Sequence, residues 1–162
     1  MDIFETILKR RSVRAYQDKE ISKADLDKIL EAARMAPSGF NAQGFRIILI
    51  KDQAIKVKLG ELAKQSYLAK APVVLALANT MLENKYSPLD IAIVLDHVML
   101  ASTALGIGTV FIGAYHSDEI RKFLGVPDTA EMVALMPLGY PADKEIPKKR
   151  KSLDELVSYE KF

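Results

Sequence analysis

The sequence contains no cysteine. That absence excludes disulfides, thiolate catalysis and every cysteine-ligated zinc or iron–sulfur site. Histidine is nearly as scarce, with His97 and His116 the only two. A metal centre would have to rest on carboxylates, and these show no recognisable ligand spacing. His97 lies in an apolar helical stretch beside Asp96, and both read as hydrogen-bonded core or interface residues rather than as a catalytic pair. No nucleophile–base arrangement and no paired carboxylates stand out, so any redox or group-transfer chemistry would fall to a cofactor.

A large charge excess is also lacking. The net charge of +2 argues against a general nucleic-acid or membrane-surface protein. Met1 to Leu8 carries Asp2 and Glu5 and has no sustained apolar run, so no secretory leader is expected there, and the cysteine-free chain is compatible with a reducing cytoplasm. The uncharged stretch Val98 to Tyr115 is interrupted by Gly106 and Gly108, which fits a buried helix followed by a buried strand better than a membrane span. At 162 residues with 49% apolar content, a single domain over 1–162 is expected.

Positive charge is unevenly placed. Lys9, Arg10, Arg11 and Arg14 near one end and Lys148, Lys149, Arg150 and Lys151 near the other are eight of the 23 basic residues, leaving fifteen against 21 acids elsewhere, a balance of −6. Two basic ends on an acidic body make sense if both meet one anion. Arginines fork two donors toward phosphate or carboxylate oxygens and keep their charge, and Ser12 adds a neutral donor. A solvated basic turn is the competing reading of the same run.

Along the chain, Ile3, Phe4, Ile7 and Leu8 recur at helical spacing and predict a short amphipathic helix ending near Arg10. Ser22 and Asp25 mark the start of a second helix with Leu26, Ile29, Leu30 and Ala33 inward, stopped by Pro37. Phe45–Ile50 reads as a strand, about 53–70 as a helix, and Val73–Ala78 as a strand buried on both faces. Ser87-Pro88-Leu89-Asp90 predicts a helix start with Ser87 as cap, running to Leu105 and ended by Gly106. Its nearly all-round apolar surface predicts a homodimer interface. A strand over Thr109–Ile112, a helix over Asp118–Leu124 closed by Gly125, and a strand over Glu131–Leu138 follow. The last segment, with Leu153, Leu156, Val157, Tyr159 and Phe162, is expected to be a docked arm. This is an α+β pattern, helices around a small mixed sheet. Gly106-Ile107-Gly108 is no dinucleotide fingerprint, because a helix precedes it and a strand follows.

Five blocks in order carry a resemblance: Arg10-Arg11-Ser12-Val13-Arg14-Ala15-Tyr16, Ala36-Pro37-Ser38-Gly39-Phe40-Asn41-Ala42-Gln43, Ala104 to Gly113, Leu138-Gly139-Tyr140-Pro141, and Lys148-Lys149-Arg150. Together they closely resemble the nitroreductase family of FMN-dependent oxidoreductases, and the resemblance is to its short members. The resemblance implies an interlocked α+β homodimer with FMN at the subunit interface and a C-terminal arm reaching over the partner. By similarity Arg10, Arg11 and Ser12 hold the FMN phosphate, joined by Arg150 and Lys148. Arg14 sits near the pyrimidine end of the flavin, Pro37, Ser38, Gly39 and Asn41 approach from the other subunit, and the backbone around Ile112 and Gly113 lies near N5. NADH or NADPH as co-substrate and an oxidant such as a nitroaromatic or quinone, alternating in a ping-pong cycle, complete the implied activity. A flavin-binding or redox-sensing module without turnover is the alternative. Gly44-Phe45 stands where relatives often have Pro-Trp, which is expected to loosen the entry to the strand.

Overall fold

A computed structural model of the chain describes residues 1–114, 117–144 and 149–162. Helix α1 (Ile3–Lys9) starts at Asp2, whose carboxylate accepts the Glu5 amide at 2.9 Å. The expected amphipathic helix is there, but its apolar face is not buried within the chain: Phe4 and Leu8 are 75% and 78% exposed, and only Thr6 is buried. Helix α2 (Lys23–Arg34) is capped by Ser22, whose hydroxyl accepts the Asp25 amide at 3.1 Å, and it buries Leu26, Ile29 and Ala33 as its spacing requires.

The sheet has five strands, β1 (Phe45–Ile50), β2 (Val73–Asn79), β3 (Gly108–Thr109), β4 (Ile112–Gly113) and β5 (Glu131–Gly139). Strand β5 runs between β2 on one side and β3 and β4 on the other, and β1 lies outside β2. All of these ladders are antiparallel, so the sheet is antiparallel and not mixed as expected; the parallel pairing of Ser12 with Thr109 is an isolated bridge outside its strands. Every residue of β2 is buried. Val73, Leu75 and Leu77 join α2 and the long helix α4 (Ser87–Ala104) on one face, while Val74, Ala76 and Ala78 join α3 (Gln53–Leu62) and α5 (Asp118–Phe123) on the other. This three-layer packing explains why β2 reads as a continuous apolar run.

Several expectations are corrected. The helix expected over 53–70 ends at Leu62, and a separate 3-10 turn spans Ser66–Lys70. Lys64 turns left-handed at φ 53°, and the Gln65 amide bonds back to the Gly60 carbonyl at 2.8 Å, a helix stop that ordinarily carries glycine where Lys64 stands. Ser87 does not cap α4. Its hydroxyl donates to Asn79 Oδ1 at 2.7 Å, and Tyr86 occupies the cap position without a side-chain bond. The single strand expected over 109–112 is two short pairings, Thr109 opposite Leu138 and Gly113 opposite Ala134, with the register kept between them. Gly44 is buried at the strand entry, where a Cβ would lie 2.8 Å from Met81 Cγ and where its carbonyl accepts the Thr80 amide at 3.0 Å.

Helix α4 is long and apolar enough by length and composition to cross a bilayer. Ile91, Val94, Leu95 and Val98, however, are buried in the sheet core, a role that a membrane span would surrender. Leu89 and Ile93 lie exposed on the same helix, so its apolar surface is shared between core and exterior. His97 is half-buried, with Nδ1 3.1 Å from the Ile93 carbonyl, as its reading as a hydrogen-bonded residue requires. The C-terminal arm does not dock on its own chain, since every residue of 149–162 is exposed, with Tyr159 at 84%.

Candidate cofactor site

The basic segment leaves α1 at Arg10 and crosses the end of the sheet. Its course is set by two glycines. A Cβ on Gly108 would stand 2.5 Å from Val13 Cγ2, and one on Gly139 would stand 2.7 Å from Tyr16 Cδ1, so only bare backbone lets this segment lie flat on β3 and β5. Hydrogen bonds then fix it: the Val13 amide donates to the Thr109 carbonyl at 2.9 Å, the Gln17 amide to Tyr140 at 2.9 Å, and the Ala142 amide to Ala15 at 2.9 Å. The Tyr16 hydroxyl folds back onto the Val13 carbonyl at 2.7 Å, and burial pushes the phenol's pKa far above its usual range. With Val13 and Tyr16 buried, their neighbours Ser12 and Arg14 are left exposed.

The cations in this segment divide. Arg11 is paired, with Nη2 2.6 Å from Asp143 Oδ1 and 3.0 Å from the Asp143 carbonyl, while Asp143 Oδ2 accepts the Arg14 amide at 3.2 Å. Burial pushes the Asp143 carboxyl up, but the Arg11 guanidinium and the Arg14 amide outweigh it and hold the group below its usual value. The guanidinium groups of Arg10 and Arg14 have no ion-pair partner among the described residues. Since the chain meets Arg10 at the negative, C-terminal pole of α1, positive potential here comes from side chains and not from the helix. The Thr109 hydroxyl, on the strand beneath, is buried without a partner.

An expected consequence can be checked at once. Because the folded Asp143 pKa lies below the unfolded value near 3.9, its contribution is complete above about pH 4 and is lost as pH falls through the folded value. Asp143→Asn is therefore expected to cost about 1–2 kcal/mol in urea unfolding at pH 7, allowing for the partial exposure of the pair. The gap to the parent should narrow as pH falls from 7 to 3; an equal gap at both pH values would show that the carboxylate charge is not what secures Arg11.

The second candidate cluster lies elsewhere. Ser38, Gly39 and Asn41 form a turn at the N-terminal end of α4, anchored by the Gly39 amide, which donates to buried Asp90 Oδ1 at 2.9 Å. The Ser38 hydroxyl accepts the Gln43 amide at 3.0 Å, and Pro37 and Asn41 are exposed. Phe40, Asn41 and Gln43 all adopt positive φ, at 55°, 55° and 51°, a costly run without a glycine among them. Phe40 is 92% exposed, with its ring 6.1 Å from that of Tyr86. In the sequence Asp90 reads only as part of a helix start and Asp143 carries no signal, because their partners are 51 and 132 residues away.

One chain does not bring all the candidates together. Helix α4 has 18 residues, roughly 27 Å at 1.5 Å per residue, with the 37–41 turn at its start and β3, which carries the basic segment, beyond its end. Half-buried Ile112 and exposed Gly113 continue from the basic segment along the β5 edge; from Thr109 to Gly113 is four residues, roughly 13 Å of strand. Arg150 donates to the Lys149 carbonyl at 3.1 Å and makes no bond to the basic segment. Lys148 lies outside the described residues. No group of three or more potential metal ligands occurs among the described residues. A cavity of about 510 Å³ near Tyr16 is lined by none of the candidate cofactor residues.

The nitroreductase family model matches residues 7–73 and 61–140, covering both clusters and the sheet edge that leads from one of them. The chain belongs to the nitroreductase family. A putative NADH dehydrogenase/NAD(P)H nitroreductase of Archaeoglobus fulgidus is 32% identical over 148 residues, covering 86% of this chain and 85% of that protein. An FMN reductase [NAD(P)H] of Bacillus subtilis is 30% identical, covering 92% of this chain and 70% of its own length. Among solved structures, an FMN-dependent nitroreductase from Clostridium difficile superposes with a TM-score of 0.89 at 26% identity, covering 98% of this chain and 99% of that one. The nitroreductase-family fold thus accounts for nearly the whole chain, including the short connections between its blocks.

Proposed function

We propose that the chain is an FMN-dependent oxidoreductase that takes reducing equivalents from NADH or NADPH and passes them to a small oxidant such as a nitroaromatic or quinone. The observation that carries this reading is the basic segment itself: two guanidinium groups, on Arg10 and Arg14, held without counter-ions among the described residues at the head of a strand edge that runs to Gly113. The residues fit the cofactor. Arg10 and Ser12 would hold the phosphate, with Arg11 contributing donors beyond those engaged by Asp143. The unpartnered Thr109 hydroxyl beneath them marks the segment as one built to meet a further polar group.

Bound there, FMN would supply the redox chemistry, the exchange of two electrons and a proton between the nicotinamide and the oxidant. The protein's part is to bind and to bias. Arg14, exposed and uncompensated, places a fixed cation where negative charge is to be accommodated, which favours the reduced cofactor. Ile112 and Gly113 offer backbone beside an exposed face, and Gly113 lacks any side chain that would cover it.

The same geometry supports a homodimer. The 37–41 turn and the basic segment lie a helix length apart in one chain, so a shared site needs the turn of one protomer and the basic segment of its partner. Exposed Ile3, Phe4, Ile7 and Leu8 on α1, which packs on α4, and exposed Leu89 and Ile93 on α4 form an apolar surface suited to that contact. The exposed arm, with Leu153, Leu156 and Tyr159, gives the partner a second attachment. Light scattering is expected to return twice the 18.0 kDa chain mass, on a preparation that is yellow or turns yellow on adding FMN. A colourless protein that retains no FMN would overturn the cofactor assignment, and a monomer would overturn the shared site.

A further inference from the structure

The cavity of about 510 Å³ near Tyr16 is separate from the cofactor residues and has its own charge problem. Lys56, on α3, lines it and is only 6% exposed. Its ammonium donates to the Ala71 carbonyl at 2.7 Å and to the Pro72 carbonyl at 3.4 Å, which leaves one of its three N–H groups over. No carboxylate forms an ion pair with it among the described residues, and a cation buried without a counter-charge is costly. Burial accordingly pulls the Lys56 pKa below the usual lysine value, with Asp52, one turn earlier, opposing that shift only in part.

Two exposed lysines, Lys51 and Lys70, line the same cavity and likewise have no ion-pair partner among the described residues. Lys19 also lines it but is engaged over the Tyr140 ring at 4.0 Å. Asp18 and Glu20 are the acids on its wall, so four cations face two anions. The excess is positive, and its buried member cannot move to solvent to relieve it.

We propose that this cavity is a second anion site, one that takes a phosphorylated small molecule. The phosphate would sit between Lys56 and the lysine pair Lys51 and Lys70. Ammonium groups bind phosphate as point charges, and the absence of a guanidinium fork from the lining disfavours planar, bidentate recognition of a carboxylate. The volume falls in the range of sites for organic ligands and exceeds what inorganic phosphate fills, so the body of the ligand rests on Ile21, Pro72 and Val73. Asp18 and Glu20 then select a body that carries hydrogen-bond donors. The proposal stands apart from the FMN assignment, because the two sites share no residue.

Pyrophosphate serves as the probe, titrated by calorimetry into protein saturated with FMN, or into protein as purified if FMN does not bind. One pyrophosphate per chain is expected, with Lys56→Met weakening it at least tenfold, as loss of a charge-assisted contact should. Lys51→Ala/Lys70→Ala, confined to exposed positions, is expected to weaken it by about tenfold with an unchanged thermal melt, so the outcome does not hang on whether the Lys56 variant folds. Arg10→Ala is expected to leave the affinity within about twofold of the parent. No binding up to about 10 mM, binding that survives the double variant, or binding abolished by Arg10→Ala would each overturn the proposal.

Discussion

Arg10→Ala is expected to weaken FMN binding by roughly 10- to 150-fold, the equivalent of about 1.5–3 kcal/mol for a charge-assisted contact. Arg10 is left available to an anion by what it does not do inside the chain. It is half-buried at the end of α1, its amide closes the helix on the Thr6 carbonyl at 2.9 Å, and its guanidinium makes no ion pair among the described residues. Removing the side chain should spare the fold while removing part of the phosphate clamp. Arg11 behaves differently, because its partly exposed partner Asp143 would lose the guanidinium and keep only the Arg14 amide, so Arg11→Ala should cost stability as well as affinity. Equilibrium dialysis against FMN, beside a thermal melt of each variant, separates the two. Full flavin occupancy in Arg10→Ala would remove Arg10 from the clamp.

Gly108→Ala is the second variant with a large expected effect, about 1–3 kcal/mol of lost stability together with weakened FMN binding. The added methyl would lie 2.5 Å from Val13 Cγ2 and 2.8 Å from Val13 Cβ, and Val13 is 1% exposed and stiff at its branched carbon. Something must move, and the movable part is the segment that carries Arg10 to Arg14. Adding Val13→Ala should recover part of both losses, because substitutions at touching positions do not act independently. Urea unfolding of the single and double variants measures this coupling. Simple additivity of the two costs would show that Val13 and Gly108 do not seat the basic segment.

Much of the fold is legible in the sequence because its signals are local. Ser22 caps, Pro37 stops, and Gly106 and Gly125 sit at positive φ just past their helices, at 74° and 68°. The uninterrupted run of β2 announces burial on two faces. What escapes is set by distant partners. Ser87 looks like a cap but is taken by Asn79, and the break after Leu62 hides behind a lysine in a position that usually declares itself with glycine. The arm looks ready to dock, yet finds nothing on its own chain to cover it.

The candidate site divides in the same way. Its charges could be read from Arg10 to Arg14, whereas their division could not, since Asp143 reaches Arg11 across 132 residues of chain. The turn at 37–41 was legible as a motif, but its anchoring by Asp90 and its run of left-handed residues belong to the folded state. A helix-length separation between the two clusters becomes visible only once α4 is placed, and it is on this separation that the proposed partner subunit rests.

The most direct test of the account is anaerobic titration of the FMN-saturated protein with NADH and with NADPH, following the flavin absorbance. At least one nicotinamide is expected to bleach the flavin, and later addition of a quinone or nitroaromatic is expected to restore its colour in proportion to the oxidant added. A flavin that stays oxidised with both nicotinamides would contradict the proposed activity.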